Sequence, residues 1–98
     1  MDRLSVVAKL REHASELKAE GIVHLRLHGS VARGDETPAS DVDLIADFEA
    51  DRRFSLIDMV RIERRLGEML GVPVDLSPSR ALKDAVRQRA TREAVLAF

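Results

Sequence analysis

IVHLRLHGSVARGDETPASDVDLIADF, residues 22–48, joins two alternating apolar runs through a glycine-serine turn and a polar loop. In the first run, 22–28, Val23, Leu25 and Leu27 alternate with His24, Arg26 and His28, the period of a strand with one buried face. It runs straight into Gly29-Ser30. Ser30 reads as an N-cap and Gly34 as the terminator of one or two helical turns. DETPAS, 35–40, is rich in turn formers. DVDLIADF, 41–48, reads as a second strand, with Val42, Leu44 and Ala46 on one face and Asp41, Asp43 and Ile45 on the other. Both aspartates therefore point the same way, roughly 7 Å apart at Cα.

The flanking segments complete the domain. From Asp2 to Glu20, Leu4, Val7, Leu10, Ala14 and Leu17 recur at helical spacing, and Gly21 is a natural stop. Phe54 to Leu70 predicts a second amphipathic helix, closed by Gly71. VPVDL, 72–76, is a short third strand with Asp75 facing away from Val72, Val74 and Leu76. Pro73 has no ladder N–H to give, which suits a sheet edge or a strand start. Leu82, Ala85, Val86, Ala90, Ala94 and Val95 predict that Arg80 to Phe98 ends the chain in a helix. The whole, residues 1–98, reads as one compact α/β (α+β) domain, with a small mixed sheet of about three strands covered by helices. The connection between the first two strands is too short for a parallel crossover, so the strand directions are mixed.

Composition narrows the function. A 98-residue chain with 45% hydrophobic and 34% charged residues can build one core and has no disordered bias. No cysteine is present, which excludes disulfides, thiolate nucleophiles and cysteine-held zinc. A net charge of −1 and three aromatics, all Phe, argue against nucleic acid as a partner. Lys9, Arg11 and Glu12 interrupt the N-terminal apolar positions, so neither a signal peptide nor a membrane span is expected, and the cytoplasm is the expected compartment.

If the second and third strands pair, Asp41, Asp43 and Asp75 converge. Crowded carboxylates raise one another's pKa unless a cation is shared among them. Oxygen donors without neighbouring His or Cys suit Mg²⁺, or Mn²⁺, and two such ions form the clamp for in-line phosphoryl or nucleotidyl transfer. Gly29-Ser30 offers backbone N–H groups and close approach to a phosphate. Taken singly, an Asp-x-Asp is a solvated face and a Gly-Ser is a turn; the combination with a third outward aspartate makes a polyphosphate and metal site. His24 and His28 read as half-buried strand histidines beside a polar cleft, and Arg80, Lys83 and Arg87 as a solvated helix face.

GSVARGDETPASDVDL resembles the signature of the DNA polymerase β-type nucleotidyltransferase superfamily, a Gly-Ser, a spacer and an Asp-x-Asp. It is most similar to the minimal nucleotidyltransferases, the MNT domains paired with HEPN partners in prokaryotic toxin–antitoxin systems. The matching residues are Gly29, Ser30, Ala32, Arg33, Gly34, Pro38, Ser40, Asp41, Asp43 and Leu44, and TREAVLAF, 91–98, is similar to the family's close. His28 departs from the apolar or aromatic residue usual before the Gly-Ser. The resemblance implies that Gly29 and Ser30 bind the nucleotide's phosphates, that Asp41 and Asp43 hold both Mg²⁺ ions, and that Asp75 holds the catalytic one and favours deprotonation of the acceptor. Ser40 would order the turn before Asp41, and Arg33 would touch phosphate or brace the loop against a carboxylate. The implied activity is transfer of AMP from ATP to a hydroxyl, a tyrosine of a HEPN ribonuclease toxin, in a hetero-oligomer. Two other readings use the same residues: an antitoxin that neutralises by binding alone, and transfer to a small-molecule hydroxyl. No side chain identifies the base.

Overall fold

Four strands among the described residues form one mixed sheet in the order β3-β2-β1-β4, where β1 is Ile22–His28, β2 Val42–Phe48, β3 Val74–Pro78 and β4 Val95–Leu96. The computed structural model describes residues 1–37 and 40–98, without the side chain of Thr91. Pro38 and Ala39 of the predicted loop, the former also part of the matched motif, lie outside the described residues. β1 runs antiparallel to both β2 and β4, and β2 runs parallel to β3, so strand directions are mixed as expected.

Helices α1 (Arg3–Glu12), α2 (Ala14–Ala19) and α4 (Leu56–Leu70) cover one face of this sheet. Val6, Leu10, Leu17, Ile62, Leu66 and Leu70 pack there against Leu25, Leu27, Val42, Leu44 and Leu76. Each fully buried leucine contributes about 1.5–3 kcal/mol relative to exposure, so this layer is the main source of cohesion. α4 starts at a capping box in which the Ser55 hydroxyl accepts from the Asp58 N–H and the Asp58 carboxylate accepts from the Ser55 N–H. It ends at Gly71 in the left-handed conformation.

The fold departs from the sequence reading in four places. The first helix breaks at His13 into α1 and α2, and His13 leaves helical geometry there. A β-bulge between Ile22 and His24 shifts the phase at the start of β1, so Ile22 is buried and Val23 is turned out. The third strand spans 74–78 rather than 72–76, with Pro73 just before it and β3 at the sheet edge, as proline requires. The C-terminal segment is not one helix. A 3₁₀ turn (Ser79–Ala81) and α5 (Asp84–Glu93) are followed by β4, where the Ala97 N–H donates to the Leu25 carbonyl at 2.8 Å and Leu25 N–H to the Phe98 carbonyl at 3.2 Å. β1 would otherwise be an edge with unpaired backbone groups, and pairing them outweighs one more turn of helix.

Candidate active site

The alternation that buries Leu27, Leu44 and Leu76 sends His28, Asp43 and Asp75 to the other face. The register places His28 of β1 opposite Asp43 of β2, and Asp43 opposite Asp75 of β3. Neighbouring strands lie about 4.8 Å apart, so these three side chains form a row across the sheet. Asp41 sits one residue before β2 and is exposed, where a strand position was expected. Asp43 is half-buried and Asp75 exposed.

The turn after β1 is shaped around Asp43. Gly29 has φ +77° and opens helix α3 (Gly29–Arg33), and a Cβ on it would stand 2.4 Å from Asp43 Oδ2. Only glycine fits both the left-handed backbone and the carboxylate. Ser30 lies inside the first turn of α3; the N-cap is His28, whose side chain makes no capping bond. The expected cap role for Ser30 is therefore wrong, because α3 opens at Gly29, directly after the strand, and Ser30 already lies within it. Gly34 closes α3 at φ +81° as anticipated.

The electrostatics register the clustering. Burial raises the Asp43 pKa most; His28 and Arg33 oppose the rise, while Asp75 and Asp41 add to it. Among the described residues no three His, Cys, Asp or Glu side chains are grouped closely enough to hold a metal ion. The donor set is nonetheless all oxygen, mutually repelling and open on one side, which fits a hard divalent cation.

Arg33 braces the loop. Its Nε donates to Asp35 Oδ2 at 3.3 Å and its Nη1 to Glu93 Oε2 at 3.5 Å, joining α3 to α5. The Ser40 hydroxyl accepts from the Thr37 N–H at 2.9 Å, and the Ser40 N–H donates to the Thr37 carbonyl at 3.0 Å, so Ser40 orders the turn leading to Asp41. His24 is exposed and its Nδ1 lies 3.3 Å from the Phe98 carbonyl oxygen.

Sequence reasoning missed the extension of this face. Arg26 and Asp47 form an ion pair next along the sheet, and with Ile45, Ser79, Arg80 and Arg87 they border a cavity of about 320 Å³. The same two-residue alternation that relates Asp41 to Asp43 carries on to Asp47, so the signal was present in the strand period.

Comparison with known proteins agrees with this geometry. The nucleotidyltransferase domain family matches residues 7–97. The protein adenylyltransferase MntA of Thermococcus cleftensis is 34% identical over 88% of this chain and 86% of its own length. A solved structure assigned to a minimal nucleotidyltransferase superposes with a TM-score of 0.78 at 40% identity, covering 97% of this chain and 95% of that one. A toxin–antitoxin crystal structure with AMP-PNP shares the fold at a TM-score of 0.73 and 18% identity, over 90% of this chain and 72% of that one.

Proposed function

Because the chain belongs to the nucleotidyltransferase domain family, we propose that it transfers AMP from ATP to a tyrosine hydroxyl of a HEPN-type toxin, and that this modification neutralises the toxin. Nucleotidyl transfer itself is the activity of the family. The observation that supports nucleotidyl transfer at this site is the placement of Asp43 between Gly29 and Asp75, a glycine turn beside neighbouring carboxylates.

Asp41, Asp43 and Asp75 would hold two Mg²⁺ ions, which when bound neutralise charge on the triphosphate and lower the pKa of the acceptor hydroxyl. Gly29 and Ser30 receive the β- and γ-phosphates on their backbone N–H groups and the Ser30 hydroxyl. Asp75, at the start of the edge strand, faces the incoming hydroxyl and takes its proton. The acceptor oxygen bonds to the α-phosphorus as the bond to the bridging α–β oxygen breaks, and pyrophosphate leaves with that electron pair. Arg33 keeps α3 in place through Asp35 and Glu93, and Ser40 fixes the approach to Asp41.

The relatives support the acceptor class. The MntA relative is named a protein adenylyltransferase, an enzyme whose acceptor is a protein. The test incubates the protein with labelled ATP, Mg²⁺ and the product of the neighbouring gene. Label is expected on that product, and Asp43→Asn or Asp75→Asn should reduce it at least about a hundredfold, the worth of several kcal/mol of charge stabilisation. No transfer by the wild type, or undiminished transfer by these variants, would refute the reading.

A further inference from the structure

The face that carries Asp43 continues into a cationic groove that the transfer chemistry does not use. Ile45 and Asp47 follow Asp43 at two-residue steps along β2, and Arg26 of β1 stands opposite Ile45. Ile45 is buried, and with Leu82 and Ala94 it makes the apolar side of the cavity of about 320 Å³ noted above. Its charged side is Arg26, Asp47, Arg80 and Arg87. A second hollow of about 350 Å³ shares Asp47, Ser79 and Arg80 with the first and reaches Pro78 at the end of β3. The two together make a groove, longer than a single small anion needs.

The charge of this groove is positive with every group counted. Three guanidiniums, of Arg26, Arg80 and Arg87, line it with one carboxylate, Asp47, and that carboxylate pairs with Arg26. Among the described residues Arg80 and Arg87 are exposed and have no ion-pair partner. The segment 79–93, which walls the groove, carries Arg80, Lys83, Arg87, Arg89 and Arg92 against Asp84 and Glu93, and Glu93 is paired with Arg33. Glu49 and Asp51, after β2, are balanced by Arg52 and Arg53. The uncharged base and ribose of a nucleotide do not answer this excess, whereas carboxylates do. At the other end of the same face Asp41, Asp43 and Asp75 repel carboxylates, so an acidic chain laid along it has one favoured placement.

We propose that this groove binds an acidic segment of the protein acceptor, three to four residues from the hydroxyl that receives AMP; this rests on the protein-acceptor reading above. The spacing follows from the strands. Asp47 is four residues beyond Asp43 on β2, and Ser79 four beyond Asp75, a span of about 13 Å, which an extended acceptor also covers in about four residues. Acceptor carboxylates meet Arg80 and Arg87 while the hydroxyl lies at Asp43 and Asp75, so the groove selects which hydroxyl of a protein is presented.

The experiment uses a synthetic peptide with a single tyrosine and glutamates at the third and fourth positions on either side of it, and the same peptide with glutamines instead. Binding is measured by calorimetry without ATP, and transfer of labelled AMP in parallel. The chain's net charge of −1 supplies no general attraction for acids. The glutamate peptide should nonetheless bind about tenfold more tightly, the worth of two exposed ion pairs, and lose that advantage as salt rises. Its KM should fall by a similar factor with kcat within about twofold. Arg80→Glu combined with Arg87→Glu should erase the difference, and either variant alone should reduce it and carries the test if the double variant does not fold. Arg89→Glu, the same charge change outside the groove lining, should preserve it. Equal handling of the two peptides by the wild type, including binding of neither, overturns the proposal, as does an advantage that Arg89→Glu removes equally. Loss of AMP binding in the double variant assigns the groove to the nucleotide and overturns it too. Acid-selective binding that depends on Arg80 and Arg87, with no transfer of AMP, overturns the activity and leaves the acidic-segment site standing.

Discussion

Gly29→Ala separates two roles that glycine plays in one position. The backbone there has φ +77°, and holding an L-residue in that region costs roughly 1–2 kcal/mol. For a domain of this size each kcal/mol lowers Tm by about 4–8 °C, so the variant should melt about 4–16 °C below wild type. The second role is steric. The new Cβ would stand 2.4 Å from Asp43 Oδ2, about 1 Å inside an ordinary contact. Since the obstacle is the end of a side chain, the carboxylate swings aside and adds little to the loss of stability. A 1 Å displacement of a catalytic group, however, costs about a hundredfold in rate. Gly34→Ala is the matched control: its φ is +81° and a Cβ there meets nothing within 4 Å. It should lose a similar amount of Tm and keep its transfer rate. Thermal unfolding gives the first quantity, and transfer of labelled AMP at a temperature where both variants are folded gives the second. Equal losses of activity in the two variants, or a wild-type rate in Gly29→Ala, would show that the close approach to Asp43 has no bearing on catalysis.

Asp43→Asn tests the charge crowding directly. Burial first, then Asp75 and Asp41, lift the Asp43 pKa above its unfolded value of 3.8 despite His28 and Arg33, so the ionised form costs stability once pH exceeds the folded pKa. The amide should therefore raise Tm at neutral pH without divalent cations, and the gain should vanish below pH 3.8. Added Mg²⁺ should stabilise the wild type by about 2.7 kcal/mol at a hundred times its Kd and should hardly move Asp43→Asn, as read by the same unfolding curves. Gly67 sits inside α4, and a Cβ there meets only the Val72 carbonyl oxygen at 3.4 Å. Gly67→Ala should accordingly gain about 0.5–1 kcal/mol and raise Tm by about 2–8 °C.

What the sequence made legible follows from how local each signal is. The period of two in residues 22–28 and 41–48, and of 3.6 in 54–70, reports directly on which side chains meet the core, and the elements these patterns predict are present. Asp43 beside Asp75 was legible because both are fixed by the phase of an apolar strand. Ser30 as a cap was not, since α3 follows β1 without a break and opens at Gly29 in the left-handed conformation, which the motif alone does not reveal. β4 was the hardest to see. Val95-Leu96 is two residues long, and its conformation is set by the unpaired side of β1, some seventy residues earlier in the chain.

The mixed direction of the sheet is what gathers the site. β1 and β2 are antiparallel, so the end of β1, with Gly29 just beyond it, lies beside the start of β2 and Asp43. β2 and β3 are parallel, so the start of β3 and Asp75 lie beside that same end. Were β3 turned round, its first residues would pair near Asp47, and Asp75 would stand at the opposite end of β2 from Gly29. A parallel neighbour needs a crossover that returns the chain to its starting edge, and α4 is that crossover. The helix that closes the core is thus also what brings the third carboxylate to the first two.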